Sequence, residues 1–429
     1  MTQGLWDYSQ INGMHLELTN RCNAACPQCP RYVGDGDDLN PKLVETGVTY
    51  DQFTKWFDVP FVKQLLKVYA CGNYGDPIAN KDTLPIYKYL RENGNEWLML
   101  AMHTNGSART PEWFYELGLL MNSQKRNDYC VFSVDGLEDT NHLYRRNTNW
   151  DKIMENIKAY REAGGIAQWD FIVYRHNEHQ VETARKLAKD LGFVAFNVKK
   201  TTRWRYYENG YGYSNVRNRD GSTYRLEQPF NEDFHDSTVI KIKEIKGITP
   251  NYITNEQFAR MHSKDSVMYK VHDPKTKQDI EIDHRTIDVS CRAVAEKRGG
   301  NGWNDEIFLS AEGEVYPCCF LGGEPNRFDG LSPDNNYRSK DSFMQMLGII
   351  GGREAISLHN KSLREIIEGD LYQRLLPESL NTGHNMRSKQ CSSCCGTGWN
   401  KLDNGELGNR EEAMLNGAEV IANPGFNEQ

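Results

Sequence analysis

The sequence lacks any apolar run that approaches the ~18 residues of a membrane-spanning helix. Its first residues, 1–7, lack the basic and apolar regions of a secretory signal peptide. Positive charge is also in deficit, because 51 Lys and Arg residues against 59 Asp and Glu residues give a net charge of −8. These absences argue against a membrane protein and against nucleic-acid binding by the whole molecule. We therefore expect a cytoplasmic, globular protein.

Cysteine, by contrast, is abundant, with 11 residues in the chain. In a reducing compartment, cysteine clusters more often bind metal than form disulfides. The cysteines fall into one group within residues 22–29 and a second group within residues 291–395. Only Cys71 and Cys130 stand alone, in apolar runs, where we expect them to be small buried side chains.

From residue 14 to about residue 200, short apolar runs alternate with helical stretches. This alternation predicts βα units around a parallel sheet, and right-handed crossovers would curl such a sheet into a partial barrel. The expected fold class is therefore α/β, a partial (β/α)6 TIM-type barrel. The predicted strands are 14–19, 67–71, 97–103, 129–134, 169–174 and 193–198, and the predicted helices are 50–66, 81–93, 111–121, 150–163 and 178–191.

The rest of the chain departs from this pattern, and four domains are expected: a barrel (1–200), an insert that completes it and shapes the substrate site (201–290), a cysteine-bearing α+β module (291–400) and a polar tail (401–429). Basic and aromatic residues interleave over 199–225, here called the basic–aromatic segment. It fits a solvated loop packed on the barrel, a wall that closes the barrel mouth against an anionic small molecule or peptide, or a nucleic-acid surface. Hairpins are predicted at 267–283 and 307–317.

The first cysteine group, Cys22, Cys26 and Cys29, has C-x3-C-x2-C spacing and follows the first predicted strand directly. Three thiolates leave one iron of a four-iron cluster open for another ligand. A zinc site is the alternative, but zinc favours four ligands in paired C-x2-C units. The spacing therefore favours an iron–sulfur cluster.

In context, the run from Leu18 to Arg31 resembles the opening motif of the radical S-adenosylmethionine (SAM) superfamily. The resemblance implies that Cys22, Cys26 and Cys29 hold a [4Fe–4S] cluster whose open iron binds SAM. It also implies reductive cleavage of SAM to a 5′-deoxyadenosyl radical that abstracts a hydrogen atom from a substrate. Gln28 replaces the usual aromatic or aliphatic residue, and we expect it near the adenine.

Further matches follow in family order, one after each strand. The segment 72–77 stands where the family has Gly-Gly-Glu-Pro, with Asp76 in place of Glu, and later turns match Thr-Asn-Gly and Ser-x-Asp-Gly with a downstream Arg. Taken singly, such turns are also ordinary turn chemistry. The SAM contacts that the resemblance implies are Gln28, Gly75, Asp76, Thr104, Asn105, Ser133, Asp135, Arg145 and Asn177.

The second cysteine group resembles the twitch-type, SPASM-like extension of that family, which implies one auxiliary [4Fe–4S] cluster. Six cysteines are too few for the two clusters of a full SPASM module. The expected ligands are Cys291, Cys318, Cys391 and Cys394. Cys319 and Cys395 each adjoin an expected ligand, so they are packing residues or exchange roles with their neighbours. A structural zinc site is the alternative.

The expected partners are a small polar molecule or a peptide as substrate, and an electron donor such as flavodoxin or ferredoxin. Neither a membrane nor nucleic acid is expected. A different class of function is a zinc-stabilised nucleic-acid-binding protein that uses the basic–aromatic segment, and a third is a radical SAM enzyme that modifies RNA. The sequence identifies neither the substrate nor a catalytic acid or base.

Overall fold

The computed structural model describes residues 6–201, 203–208, 211–234, 268–273, 278–286, 288–289, 291, 293, 306–326, 342–396 and 412–414. In this part of the chain, no helix has the length and apolar character needed to span a membrane.

A nine-stranded, mostly parallel sheet organises the protein. Its strand order is β15-β14-β1-β4-β5-β6-β7-β8-β16, and every pair from β14 through to β8 is parallel. The edge strands β15 and β16 are antiparallel to their neighbours. The sheet strands are β1 (Gly13–Leu16), β4 (Lys67–Ala70), β5 (Met99–Thr104), β6 (Tyr129–Ser133), β7 (Ala167–Ile172), β8 (Ala195–Lys199), β14 (Glu306–Leu309), β15 (Val315–Tyr316) and β16 (Glu412–Met414).

In the described part of the chain, three smaller antiparallel sheets are separate from this one. The basic–aromatic segment and the residues after it form a three-stranded sheet, and a short hairpin follows the cysteine loop. The predicted hairpin at 267–283 is confirmed by the pairing of β12 with β13. The strands are β2 (Tyr32–Val33), β3 (Asp38–Leu39), β9 (Tyr206–Glu208), β10 (Tyr211–Arg217), β11 (Thr223–Glu227), β12 (Met268–Asp273) and β13 (Gln278–Asp283).

Helices connect the barrel strands, as the alternating pattern predicts. The predicted helix at 50–66 is two helices, because Asp58 caps a new helix that carries Pro60 in its first turn. The connecting helices are α1 (Tyr50–Trp56), α2 (Val59–Gln64), α3 (Thr83–Asn93), α4 (Pro111–Leu120), α5 (Asn141–Tyr144), α6 (Trp150–Glu162) and α7 (Val181–Asp190). Later helices span Cys319–Gly322, Ser342–Ile349, Leu363–Ile367, Leu376–Ser379 and Lys389–Cys395, with a π-helical turn at Leu371–Leu375.

The six predicted barrel strands are confirmed as β1 and β4 to β8, so the α/β class with a mostly parallel central sheet holds.

The predicted hairpin at 307–317 is also confirmed, and its turn contains Gly313 with φ +83°. The hairpin joins the barrel sheet, because β14 pairs in parallel with β1. The module predicted for 291–400 therefore builds part of the same sheet. Apart from 412–414, the predicted tail at 401–429 lies outside the described residues.

Candidate active site

The loop that carries the first cysteine group begins where β1 ends, at the carboxyl edge of the parallel sheet. Backbone hydrogen bonds shape it: the Cys29 amide donates to the Cys26 carbonyl at 3.0 Å and the Ala25 amide to the Arg146 carbonyl at 2.9 Å. Cys26 lies in an apolar cluster with Tyr144, Tyr174 and Trp204, and Cys22 and Cys29 pack against that cluster. Binding sites of barrel folds form at this edge.

Two of the three sulfurs face hydrogen-bond donors. Asn105 Nδ2 lies 3.7 Å from Cys22 Sγ, and Arg145 Nη1 lies 3.7 Å from Cys26 Sγ. Burial raises the pKa of Cys26 to about 11, against the opposing effect of Arg145. Metal coordination would deprotonate these thiols, and the two donors would then stabilise thiolate charge.

The spacing of the metal-binding side chains bears on the kind of metal. Within the described ranges, no three His, Cys, Asp or Glu side chains converge closely enough to hold a single metal ion. In a four-iron cluster each thiolate binds a different iron, so its ligands stand farther apart than those of one zinc ion. The loop supplies three thiols, which is the number that a four-iron cluster takes when one iron stays open.

The loop 72–77 after β4 packs directly on the cysteine loop. A side chain at Gly75 would overlap the Thr19 carbonyl, so the close approach requires glycine there. The Asp76 amide donates to the Arg21 carbonyl at 2.9 Å. Gly75 thus brings its backbone to the edge of the cysteine loop.

Glu17 holds loop 72–77 in place through hydrogen bonds, a role that the sequence analysis missed. Its Oε1 accepts the backbone N–H groups of Tyr74 at 2.6 Å and Gly75 at 3.2 Å. Burial raises the pKa of Glu17 to about 8, although these backbone hydrogen bonds oppose the rise. The available signal was a lone acid in the otherwise apolar end of the first strand.

Asp76 joins the loops that follow β4 and β5. Its Oδ2 accepts both the backbone N–H and the side-chain amide of Asn105, each at 2.7 Å, and its Oδ1 accepts the Ile78 amide at 3.1 Å. Thr104 Oγ1 accepts the Gly106 amide at 3.1 Å across the turn. These contacts give Asp76 a positioning role, with Asn105 between it and Cys22.

Asp135 and Arg145 form a buried ion pair beside the cysteines. Arg145 Nε lies 2.5 Å from Asp135 Oδ2, and burial raises the pKa of Asp135 while Arg145 opposes that rise. The side-chain amide of Asn177 donates to the carbonyls of Asp135 and Ile172 and accepts the Tyr174 amide, so its groups are used within the protein. This favours a positioning role for Asn177 over the ribose contact implied by the resemblance.

The structure gathers the predicted site residues at one edge of the sheet. Ser133 is the last residue of β6, opposite Asp170 of β7. Gln28 Oε1 accepts the hydroxyl groups of Tyr174 and Thr201, each at 3.0 Å. The predicted residues found at this edge are Cys22, Cys26, Cys29, Gln28, Gly75, Asp76, Thr104, Asn105, Ser133, Asp135, Arg145 and Asn177.

Three segments bring the second cysteine group together. Ser392 Oγ donates to the His284 carbonyl at 2.8 Å, and Val289 forms a bridge with Gly396, so the segment before Cys291 runs beside the helix Lys389–Cys395. The thiols that interact electrostatically with Cys318 are those of Cys319, Cys391 and Cys395, whereas Cys394 interacts with Cys319. Residues 391 and 395 share a helix face, since they are four positions apart.

The second cysteine group also touches the first site. Asn73 Nδ2 donates to the Cys319 carbonyl at 2.8 Å, and the Tyr74 hydroxyl donates to the Gly323 carbonyl at 2.7 Å. Loop 72–77 thus lies between the two cysteine groups.

Several basic side chains of the basic–aromatic segment form ion pairs within the protein. Lys199 Nζ lies 3.3 Å from Asp170 Oδ2, and four arginines of the segment lie near acids of other segments or strands. The arginine pairs are Arg205–Asp35, Arg217–Asp38, Arg219–Asp37 and Arg225–Glu208, with distances of 2.5 to 3.4 Å. The side chains of Arg217, Arg219 and Arg225 are 58%, 75% and 46% exposed, and exposed ion pairs contribute little to stability, so the pairing does not distinguish a wall from a nucleic-acid surface.

The chain is similar to one protein family and to several individual proteins. The family model of the Radical SAM superfamily matches residues 16–188. An AdoMet-dependent heme synthase of Nitratidesulfovibrio vulgaris is 23% identical over 319 residues, covering 71% of this chain and 72% of that protein. A tungsten-containing aldehyde ferredoxin oxidoreductase cofactor-modifying protein of Pyrococcus furiosus is 25% identical over 194 residues, and the match spans 43% of this chain and half of that protein.

Solved structures show a more distant likeness. Streptococcus suis SuiB bound to S-adenosylmethionine is 10% identical with a TM-score of 0.42, covering 73% of this chain and 62% of SuiB. Native anSMEcpe with bound AdoMet and Cp18Cys peptide is 12% identical with a TM-score of 0.44, covering 89% of this chain and 88% of that chain.

Proposed function

From the match of residues 16–188 to the Radical SAM superfamily, we propose that the chain is an enzyme of that superfamily and that Cys22, Cys26 and Cys29 hold its [4Fe–4S] cluster. Bound there, the cluster would supply the electron for reductive cleavage of SAM, and the resulting 5′-deoxyadenosyl radical would remove a hydrogen atom from a substrate. The observation that carries the proposal is the placement of three thiols at the carboxyl edge of the sheet, two of them facing N–H donors.

The surrounding residues have distinct tasks in this proposal. Gly75 presents backbone groups where the SAM amino group would bind, because it approaches the cysteine loop closely. Arg145 is a cation at the site and would pair with the SAM carboxylate, while Asp135 fixes its orientation. Asp76 and Glu17 hold the loops in place by accepting backbone N–H groups.

We also propose that the second cysteine group binds one auxiliary [4Fe–4S] cluster. Cys291, Cys318, Cys391 and Cys394 are the ligands expected from the sequence. The sulfur of Cys394 accepts a hydrogen bond from Gln390 at 3.1 Å, which would stabilise thiolate charge, and Cys395 is the alternative to Cys394 because its thiol lies near that of Cys318. Four thiols suit either a four-iron cluster or a tetrahedral zinc ion, and the metal analysis below separates the two.

The proposed substrate is a small polar molecule or a peptide bound at the barrel mouth, and the proposed electron donor is a flavodoxin or a ferredoxin. The wall formed by the basic–aromatic segment supports a closed site for such a substrate, because Trp204 lies in the apolar cluster beside the cysteines. The net charge of −8 weighs against RNA as the substrate.

Metal analysis tests this proposal. Protein purified without oxygen is expected to be brown and to carry about eight irons, because it would hold two four-iron clusters. Inductively coupled plasma mass spectrometry measures iron and zinc in the same sample. Colourless protein that carries zinc in place of iron would contradict the proposal and favour the zinc-stabilised binding protein.

A further inference from the structure

Arg31 is a buried cation two residues after the last cysteine of the first group. Its side chain is 5% exposed, and one arm of its guanidinium group, Nη1, donates to the Asn20 carbonyl. Asn20 lies two residues before Cys22, so this hydrogen bond joins the chain before the first cysteine to the chain after Cys29. A guanidinium group keeps its charge in proteins. The cysteine loop is therefore closed by a group that also places a permanent positive charge beside it.

The acid that pairs with Arg31 is far more exposed than Arg31 itself. Arg31 Nη2 donates to Glu45 Oε1, but the Glu45 side chain is 45% exposed. Solvent and dissolved salt screen an exposed charge much more strongly than a buried one. The Glu45 carboxylate therefore offsets only part of the positive field that Arg31 exerts on the cysteine loop.

The charge of Arg31 acts on the cysteine nearest to it in sequence. Burial raises the pKa of Cys29, and a hydrogen bond from the Arg31 backbone opposes that rise. The positive charges that oppose it further are those of Arg203, Arg31 and Arg145. Arg145 is paired with the fully buried carboxylate of Asp135, and Arg203 is exposed to solvent. Arg31 thus combines a buried charge with a partner that lies at the surface.

We propose that Arg31 is a positioning residue that holds the cysteine loop closed and raises the reduction potential of the cluster bound there. This inference rests on the proposed function and adds how the protein favours the reduced state. Reduction transfers one electron from the donor to the cluster and makes the cluster more negative. A buried cation nearby stabilises that form more than the oxidised form, and net charge is among the factors that set cluster potentials.

The test measures the reduction potential of the cluster rather than turnover. Anaerobic, cluster-loaded protein is titrated with dithionite in the presence of redox mediators, and electron paramagnetic resonance reads the reduced fraction. The relevant cluster is the one whose signal changes when SAM is added, because a cluster with four thiolate ligands has no open iron. At a fixed potential, Arg31→Gln is expected to lower the ratio of reduced to oxidised cluster about tenfold. For a one-electron couple this is a downward shift of about 59 mV.

Two further variants separate charge from loop closure. Glu45→Gln keeps an acceptor for Arg31 but removes the negative charge, so it should raise the ratio, by less than tenfold because Glu45 is half exposed. Tyr32→Phe is the matched control for loop closure. The Tyr32 hydroxyl donates to the Ala24 carbonyl at 3.0 Å within the same loop and carries no charge. Its removal should leave the potential unchanged.

The outcomes separate this inference from the proposed function. Wild-type protein that takes up no iron, or whose signals do not respond to SAM, contradicts the proposed function. A SAM-responsive cluster whose potential is the same in wild type, Arg31→Gln and Glu45→Gln overturns the role of Arg31. Equal downward shifts in Arg31→Gln and Tyr32→Phe also overturn it, because loop closure rather than charge would then set the potential. If Arg31→Gln takes up no cluster, Glu45→Gln decides: an upward shift supports the charge effect, and no shift overturns it.

Discussion

Replacing Cys22, Cys26 and Cys29 together with alanine is expected to abolish formation of 5′-deoxyadenosine and to lower the iron content to about half. The three thiols stand at one edge of the sheet, and two of them face donors suited to thiolate charge. Without them the open-iron cluster has no ligands, whereas the second cysteine group stays intact. Product chromatography after reduction by dithionite and iron analysis of the same preparation measure both effects.

Cys130→Ala is the matched control for this variant. Cys130 is fully buried in β6 and lies outside both cysteine groups. The control should keep all of its iron and its SAM cleavage, with only a modest loss of stability from the smaller side chain. A triple variant that still cleaves SAM would show that the opening cysteines are not the cluster ligands.

Replacing Cys318 with serine is expected to remove the auxiliary cluster, leaving about four of about eight irons. Cys318 lies between the barrel hairpin and the helix Lys389–Cys395, and its thiol interacts with those of Cys391 and Cys395. Iron analysis and electron paramagnetic resonance of the reduced protein measure the loss. SAM cleavage should persist, because the first cysteine group is untouched.

Two single variants then identify the fourth ligand of the auxiliary cluster. Cys395→Ser should lose this iron if the neighbours of Cys318 are the ligands, and Cys394→Ser should then keep it. The reverse result would support the assignment made from sequence spacing. Full iron content in the Cys318→Ser variant would contradict an auxiliary cluster at this place.

Much of the barrel was predictable because its signals are local. Apolar runs and helix caps occur within each βα unit, so β1 and β4 to β8 lie close to their predicted positions. The pairing of β14 with β1 was not predictable, since it joins Gly13 to Glu306, which lies far away in the sequence. No local pattern encodes a pairing of that range.

In the candidate site too, the features that depend on short motifs were predictable, and those that depend on contacts between distant segments were not. The cysteine loop and the turns at Gly75 and Asn105 follow from short motifs, and the structure places them together. The support of Gly75 by Glu17 depends on how two loops pack. The pairing of Arg217 with Asp38 joins segments far apart in sequence, so no local pattern predicts it.

The central claim is that the cysteine loop cleaves SAM, and one measurement tests it most directly. Anaerobically reconstituted wild-type protein is incubated with SAM and dithionite, and 5′-deoxyadenosine is quantified against the Cys22/Cys26/Cys29→Ala variant. We expect 5′-deoxyadenosine from the wild-type protein and none above background from the variant. Equal amounts from both proteins, or none from a wild-type protein that carries its full iron content, would contradict the claim.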